Sequence, residues 1–186
     1  MEPTTEEKKI LLETARQSIN SIFTNEKMTV PDFAEHPIFN SHCGAFVTLT
    51  QDRILRGCIG YIISDIPLFQ TIREAAVHAA VDDPRFLPVK QKEIELISIE
   101  ISILSEPFAL NNYDEIEIGK HGLILEENGR RGLLLPQVPI EHKMNRDQFL
   151  DALCQKAGLH GKYWKTKQLN LSAFTATVFN EENINA

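Results

Sequence analysis

The chain is predicted to be an α+β protein, a largely antiparallel sheet covered by helices, with room for two closely packed subdomains. Three observations carry this reading. Apolar runs with strand-like alternation recur along the chain, two pairs of them are joined by short turn sequences, and the helical patterns between them follow no regular βαβ order. At 186 residues there is material for one domain, or two intimately packed halves, and too little for a second domain of ordinary size.

Thr4 and Glu7 have capping-box spacing, and Leu12, Ala15, Ile19, Ile22 and Phe23 recur at helical intervals, so an amphipathic helix is expected up to Phe23. The segment with Pro31, Phe33, His36, Pro37 and Phe39 lacks periodicity and is expected to be an irregular strap whose aromatic residues dock on the core. Ala45 to Thr50 and Ile54 to Ile63 flank Gln51-Asp52-Arg53 as an antiparallel hairpin. A helix follows, with Pro67 in its first turn, an apolar stripe of Leu68, Ile72, Ala76 and Ala79, and a stop at Asp83-Pro84.

Between Ile94 and Leu104, Ile97, Ile99, Ile101 and Ile103 alternate with Ser98, Glu100 and Ser102, the pattern of a strand with one face in the core. That face should pack in a sheet with the first hairpin and the C-terminal strand, beneath the Pro67 helix. Gly122 to Glu126 and Arg131 to Leu135 form a second hairpin across Asn128-Gly129, because Asn-Gly supplies the positive φ of a tight turn. Pro136 and Pro139 stop it. Asn145 caps a helix with Phe149, Leu150, Leu153, Cys154 and Ala157 inward and Gly158 at its C-terminus, and Ala173 to Phe179 is a closing strand.

A net charge of −7, with both signs scattered, argues against a nucleic-acid or anionic-membrane binder. The acidic, polar start and the lack of any apolar run near the ~18 residues of a membrane span point to a cytoplasmic protein outside the membrane. Cys43, Cys58 and Cys154 are odd in number and widely spaced, as reduced thiols would be. His36, His42 and Cys43 are too poorly spaced for a metal site, and no metal is expected. No phosphate-binding glycine loop, dinucleotide fingerprint or catalytic triad spacing occurs, so no cofactor is expected either.

Leu55-Arg56-Gly57-Cys58-Ile59-Gly60 puts a cysteine between two glycines inside an apolar strand, where glycine marks a bulge or a close approach by a ligand or another backbone. In an extended chain Arg56 and Cys58 share a face, and a nearby cation lowers a thiol pKa. Gly57-Cys58-Ile59-Gly60 is one residue short of a hydrolase nucleophile elbow and should not be read as one.

This hexapeptide, with Gly44-Ala45-Phe46-Val47-Thr48-Leu49, Asp83-Pro84-Arg85-Phe86, Ile99-Glu100-Ile101-Ser102, His121-Gly122-Leu123, Leu135-Pro136-Gln137-Val138 and Leu153-Cys154-Gln155-Lys156-Ala157-Gly158-Leu159, resembles the AMME-region candidate protein family. In prokaryotes that family is called protein A of the AmmeMemoRadiSam system. The resemblance covers residues 8–179 and implies one domain there, with 1–7 and 180–186 as short termini. It also implies a pathway shared with Memo-like and radical-SAM proteins, and it names no substrate.

The residues and the resemblance together nominate Cys58, Glu100 and His121 as catalytic candidates, and Arg56, Gly57, Gly60, Arg85 and Gln137 as ligand contacts. The resemblance further implies that Cys58, Arg56, Glu100 and His121 gather around one concavity. Each has a plainer alternative: Cys58 a small buried hydrophobe, Glu100 a solvated strand charge, His121 a turn histidine bonded to its own loop, and Arg85-Phe86 a helix stop rather than a cation for an anionic ligand. His78, four residues after Glu74, is a second candidate base whose plain reading is a helix-surface pair. Cys154 falls on an inward helix face and reads as packing. Three functions follow: a small enzyme or substrate-handling component with a Cys58-centred pocket, an adaptor docking a partner through the Cys58 strand and the Pro136 to Pro139 segment, or a purely structural subunit.

Overall fold

The computed structural model describes residues 2–24 and 29–184. Residues 25–28 of the irregular strap, and the extreme ends of both short termini, lie outside the described residues. The chain forms two compact units, one from the residues up to Leu104 together with those from Thr177 onward, the other Ser105–Ala176.

In the first unit, α1 (Thr5–Asn20) starts at the Thr4/Glu7 capping box, with both reciprocal bonds formed. It ends at Asn20 rather than Phe23, and Ile22 is 36% exposed. The apolar periodicity therefore runs one turn past the last residue that has a core to face. Phe33 and Phe39 of the strap meet Phe69 with ring centroids 5.2 and 6.1 Å apart.

β1 (Ala45–Gln51) and β2 (Ile54–Tyr61) form the expected hairpin, turned by Asp52 and Arg53 at positive φ. α2 (Leu68–Val81) follows Pro67, and β3 (Ile97–Leu104) lies beside β1 after a 3₁₀ segment, Gln91–Leu96. The sheet order is β2-β1-β3-β8, where β8 is Ala176–Asn180. Val47, Leu49, Ile97, Ile99, Ile101 and Ile103 are buried in one core with Leu11, Ala15, Ile72 and Ala76 of the two helices. The alternating isoleucine face is thus covered as expected, and the residues between them point to the opposite face.

The second unit has the sheet order β4-β7-β5-β6, made of β4 (Phe108–Ala109), β5 (Gly122–Glu127), β6 (Arg130–Leu134) and β7 (Leu171–Phe174). The β5–β6 hairpin turns at Asn128 and Gly129, both at positive φ. After the short α3 (Val138–Glu141), α4 (Arg146–Lys156) starts at an Asn145/Gln148 capping box and buries Phe149, Leu150, Leu153 and Cys154 against Leu123, Leu125 and Leu171. Cys154 is packing, and burial pushes its thiol pKa up.

The expected single closing strand is two strands. β7 belongs to one sheet and β8 to the other, with the break at Thr175, whose backbone N–H and C=O bond to Ser105 Oγ and N–H. Residue type reports β character and is silent on which sheet receives it.

Candidate functional site

The hairpin register decides where Cys58 points. Gln51 pairs with Ile54 and Thr50 with Leu55, but Leu49 then pairs with Gly57 and Thr48 with Cys58, so Arg56 is an extra residue on β2. A regular hairpin would have set Cys58 opposite Val47, on the core face. The bulge moves it opposite Thr48, onto the face away from α2.

Thr48 also pairs with Glu100 on β3, so Cys58, Thr48 and Glu100 form one row across three adjacent strands. The Thr48 hydroxyl donates to Cys58 Sγ at 3.3 Å. All three side chains are half-buried. Burial raises the Cys58 thiol pKa; Thr48 and the Arg85 guanidinium oppose the rise, and the Asp83 and Glu100 charges add to it. The thiol is therefore neutral at pH 7.

The cation expected to lower it, Arg56, is turned instead to Glu93, with Nε donating at 2.9 Å, because the bulge interrupts the alternation that would have aligned it with Cys58. That guanidinium holds Glu93 below the usual carboxylate range. The cation beside Cys58 is Arg85. Asp83, whose side chain is 2% exposed, accepts from Arg85 Nε at 2.9 Å, from Nη2 at 2.7 Å and from the backbone N–H of Cys58 at 2.9 Å. Arg85 Nη2 also lies 3.4 Å from the Cys58 carbonyl. Asp83 and Arg85 thus clip the outer edge of β2 at Cys58, and Arg85 holds Asp83 far below the usual carboxylate range.

The close approaches implied by the glycines come from the protein itself. A Cβ on Gly57 would stand 2.1 Å from the Ala79 carbonyl oxygen of α2, and one on Gly60 would stand 2.5 Å from the Phe46 side chain.

Within the second unit, His121 is buried, its Nδ1 accepts the Glu117 N–H at 3.2 Å, and its ring meets Phe108 edge-on. Gln137 precedes α3, and its carbonyl accepts from Ile140 and Glu141. Pro136 and Pro139 are buried, so the proline segment presents little surface of its own. His78 pairs with Asp82 at 2.6 Å rather than with Glu74, which takes the Gln70 amide. His36 lies 3.5 Å from Glu7, and among the described residues no group of three or more His, Cys, Asp and Glu side chains is placed to hold a metal ion. No described helix is long and apolar enough to cross a membrane.

Thr48 and Asp83 are the site residues that single-residue reading did not nominate. Both lie inside matched motifs, but only the bulged register and the folded edge clip bring them to Cys58.

An α+β chain with two antiparallel sheets and a glycine-flanked thiol clipped at a strand edge is the class of protein these features define. The chain belongs to the AMMECR1 family, whose model matches residues 12–179. It is 43% identical over 176 residues to Protein Ta0236 of Thermoplasma acidophilum, covering 91% of this chain and 84% of that one. To Protein Mbar_A1807 of Methanosarcina barkeri it is 41% identical over 176 residues, covering 90% and 87%. Its fold is similar to the crystal structure of the uncharacterized protein PH0010 from Pyrococcus horikoshii, with a TM-score of 0.83 at 35% identity, covering 95% of this chain and 92% of that one.

Proposed function

We propose that the protein is a substrate-handling component that holds a small molecule on the face carrying Cys58, Thr48 and Glu100, in the cytoplasmic pathway with Memo-like and radical-SAM proteins that the family resemblance implies. Cys58 acts there as a neutral contact and hydrogen-bond donor, and Glu100 as the proton acceptor of the row. Support comes from one observation above all, the half-buried thiol that accepts the Thr48 hydroxyl and is kept protonated by burial. A free-standing nucleophile needs the opposite, a thiolate at neutral pH.

Iodoacetamide at pH 7 is expected to alkylate Cys58 more slowly than a small free thiol, since burial raises its pKa and so lowers the thiolate fraction that reacts. Cys58→Ser, which keeps a donor, is expected to sustain complementation of a deletion strain, whereas Cys58→Ala does not. Alkylation faster than the free thiol, with Cys58→Ser as inactive as Cys58→Ala, would show a nucleophile and overturn the proposal.

A further inference from the structure

Arg85 differs from Arg16 and Arg56 in how its donors are used. Arg16 donates to the Ile94 and Ile97 carbonyls and to both oxygens of Glu181, and Arg56 lies against Glu93 with only 16% of its side chain exposed. Both are consumed by the fold. The Arg85 side chain is 54% exposed, and only its Nε and Nη2 are engaged; among the described residues Nη1 makes no hydrogen bond.

Its position is nonetheless fixed. The buried Asp83 grips it with two parallel bonds and, through the same carboxylate, grips the Cys58 N–H, so guanidinium and thiol-bearing backbone are held to one point. The Phe86 ring backs it, 5.4 Å from Cζ to the centroid. A pre-positioned planar cation with a spare N–H edge is the usual recognition element for carboxylates and phosphates, because little side-chain entropy remains to be lost when the anion binds.

On the reading that the Cys58 face holds a ligand, we infer that this ligand carries a carboxylate or phosphate, and that Arg85 Nη1 anchors it beside Cys58. Asp83 is the positioning residue that aims the guanidinium.

The thiol provides the probe. The same thiolate attacks the methylene carbon of iodoacetate or of iodoacetamide, forming a carbon–sulfur bond as iodide leaves, so the ratio of the two rates cancels thiolate fraction and reports how well an anion is received at that sulfur. Measured on the full chain by peptide mass spectrometry, the ratio at Cys58 is expected to exceed that of N-acetylcysteinamide about five-fold, the effect of one nearby positive charge in a partly screened site. It should shrink as salt is added. Arg85→Gln is expected to bring the ratio down to the reference value, while Arg85→Lys keeps part of it. Inorganic phosphate and acetate, added separately, should slow iodoacetate at Cys58 in the parent and not in Arg85→Gln; the stronger of the two identifies the anion class.

A Cys58 ratio equal to the reference, or one that Arg85→Gln leaves unchanged, overturns the anchor. If Arg85→Gln does not fold, the salt dependence in the parent and the Arg85→Lys ratio decide the same question. The two proposals fail separately: a fast absolute iodoacetamide rate overturns the neutral thiol and leaves the ratio untouched.

Discussion

Gly57→Ala is expected to lower stability by about 3 kcal/mol, the upper end of what overpacking a close contact costs. The added methyl would meet the Ala79 carbonyl oxygen at 2.1 Å. That neighbour is backbone inside a helix and cannot rotate aside as a side chain would. Either α2 lifts from β1 and β2, opening the core that Leu49 and Ile72 share, or the strand bends at Cys58. For a chain of this size the loss corresponds to a melting temperature roughly 6–12 °C lower. Gly129→Ala is the control: nothing lies within 4 Å of its added methyl, and the cost there is only that of φ +76°, about 1 kcal/mol. Equal melting of the parent and Gly57→Ala would mean that the helix does not require this glycine, and would return it to the candidate ligand contacts.

The second large effect is expected at Asp83. Asp83→Ala removes the acceptor for Cys58 N–H and for Arg85, leaving a strand-edge amide and a cation without their partner, at a cost of about 3 kcal/mol. The half-exposed Arg85 can turn to water, which keeps the cost at the lower end of the range for buried pairs. pH dependence isolates the charge. The Asp83 carboxyl is depressed in the folded state, so its contribution is fully present above the unfolded pKa of about 3.9 and is lost as pH falls through the lower folded value. Urea melts of the parent and Asp83→Asn should therefore differ most at pH 6, and the gap should narrow progressively as pH falls below about 4 toward the depressed folded value. Other depressed carboxylates, such as Glu93, act on both proteins alike and cancel in the difference. A gap that stays constant with pH would show that the carboxylate's charge contributes nothing.

Much of the fold was legible because its signals are local. The Thr4/Glu7 and Asn145/Gln148 boxes, the positive-φ turns at Asp52-Arg53 and Asn128-Gly129, and the isoleucine alternation of β3 each act within a few residues. What could not be read depends on partners distant in the chain. The periodicity of α1 overran its end because apolar residues do not say where the core stops. The bulge at Arg56 is a one-residue offset whose position and register the adjacent Gly57 does not fix, yet it decides which face Cys58 occupies and sends Arg56 to Glu93, 37 residues away. Asp83 and Arg85 read as a helix stop, since a helix stop and an edge clip use the same residues; only the folded edge of β2 distinguishes them. The glycines beside Cys58 are accounted for by α2 and Phe46.

The crossing at Thr175 bears on the order of assembly during synthesis. The second unit is one uninterrupted stretch, and its two ends meet where its first residue, Ser105, and Thr175, one before its last, bond to each other. The first unit is discontinuous: it awaits Phe179 for its core, and Glu181 to receive Arg16 and the Ile99 amide. A ribosome therefore releases every residue of the later-starting unit before the earlier-starting one has its last strand. The sheet that carries Cys58 begins first and closes last, and a chain shortened at its C-terminus loses that sheet's closure while keeping the second unit whole.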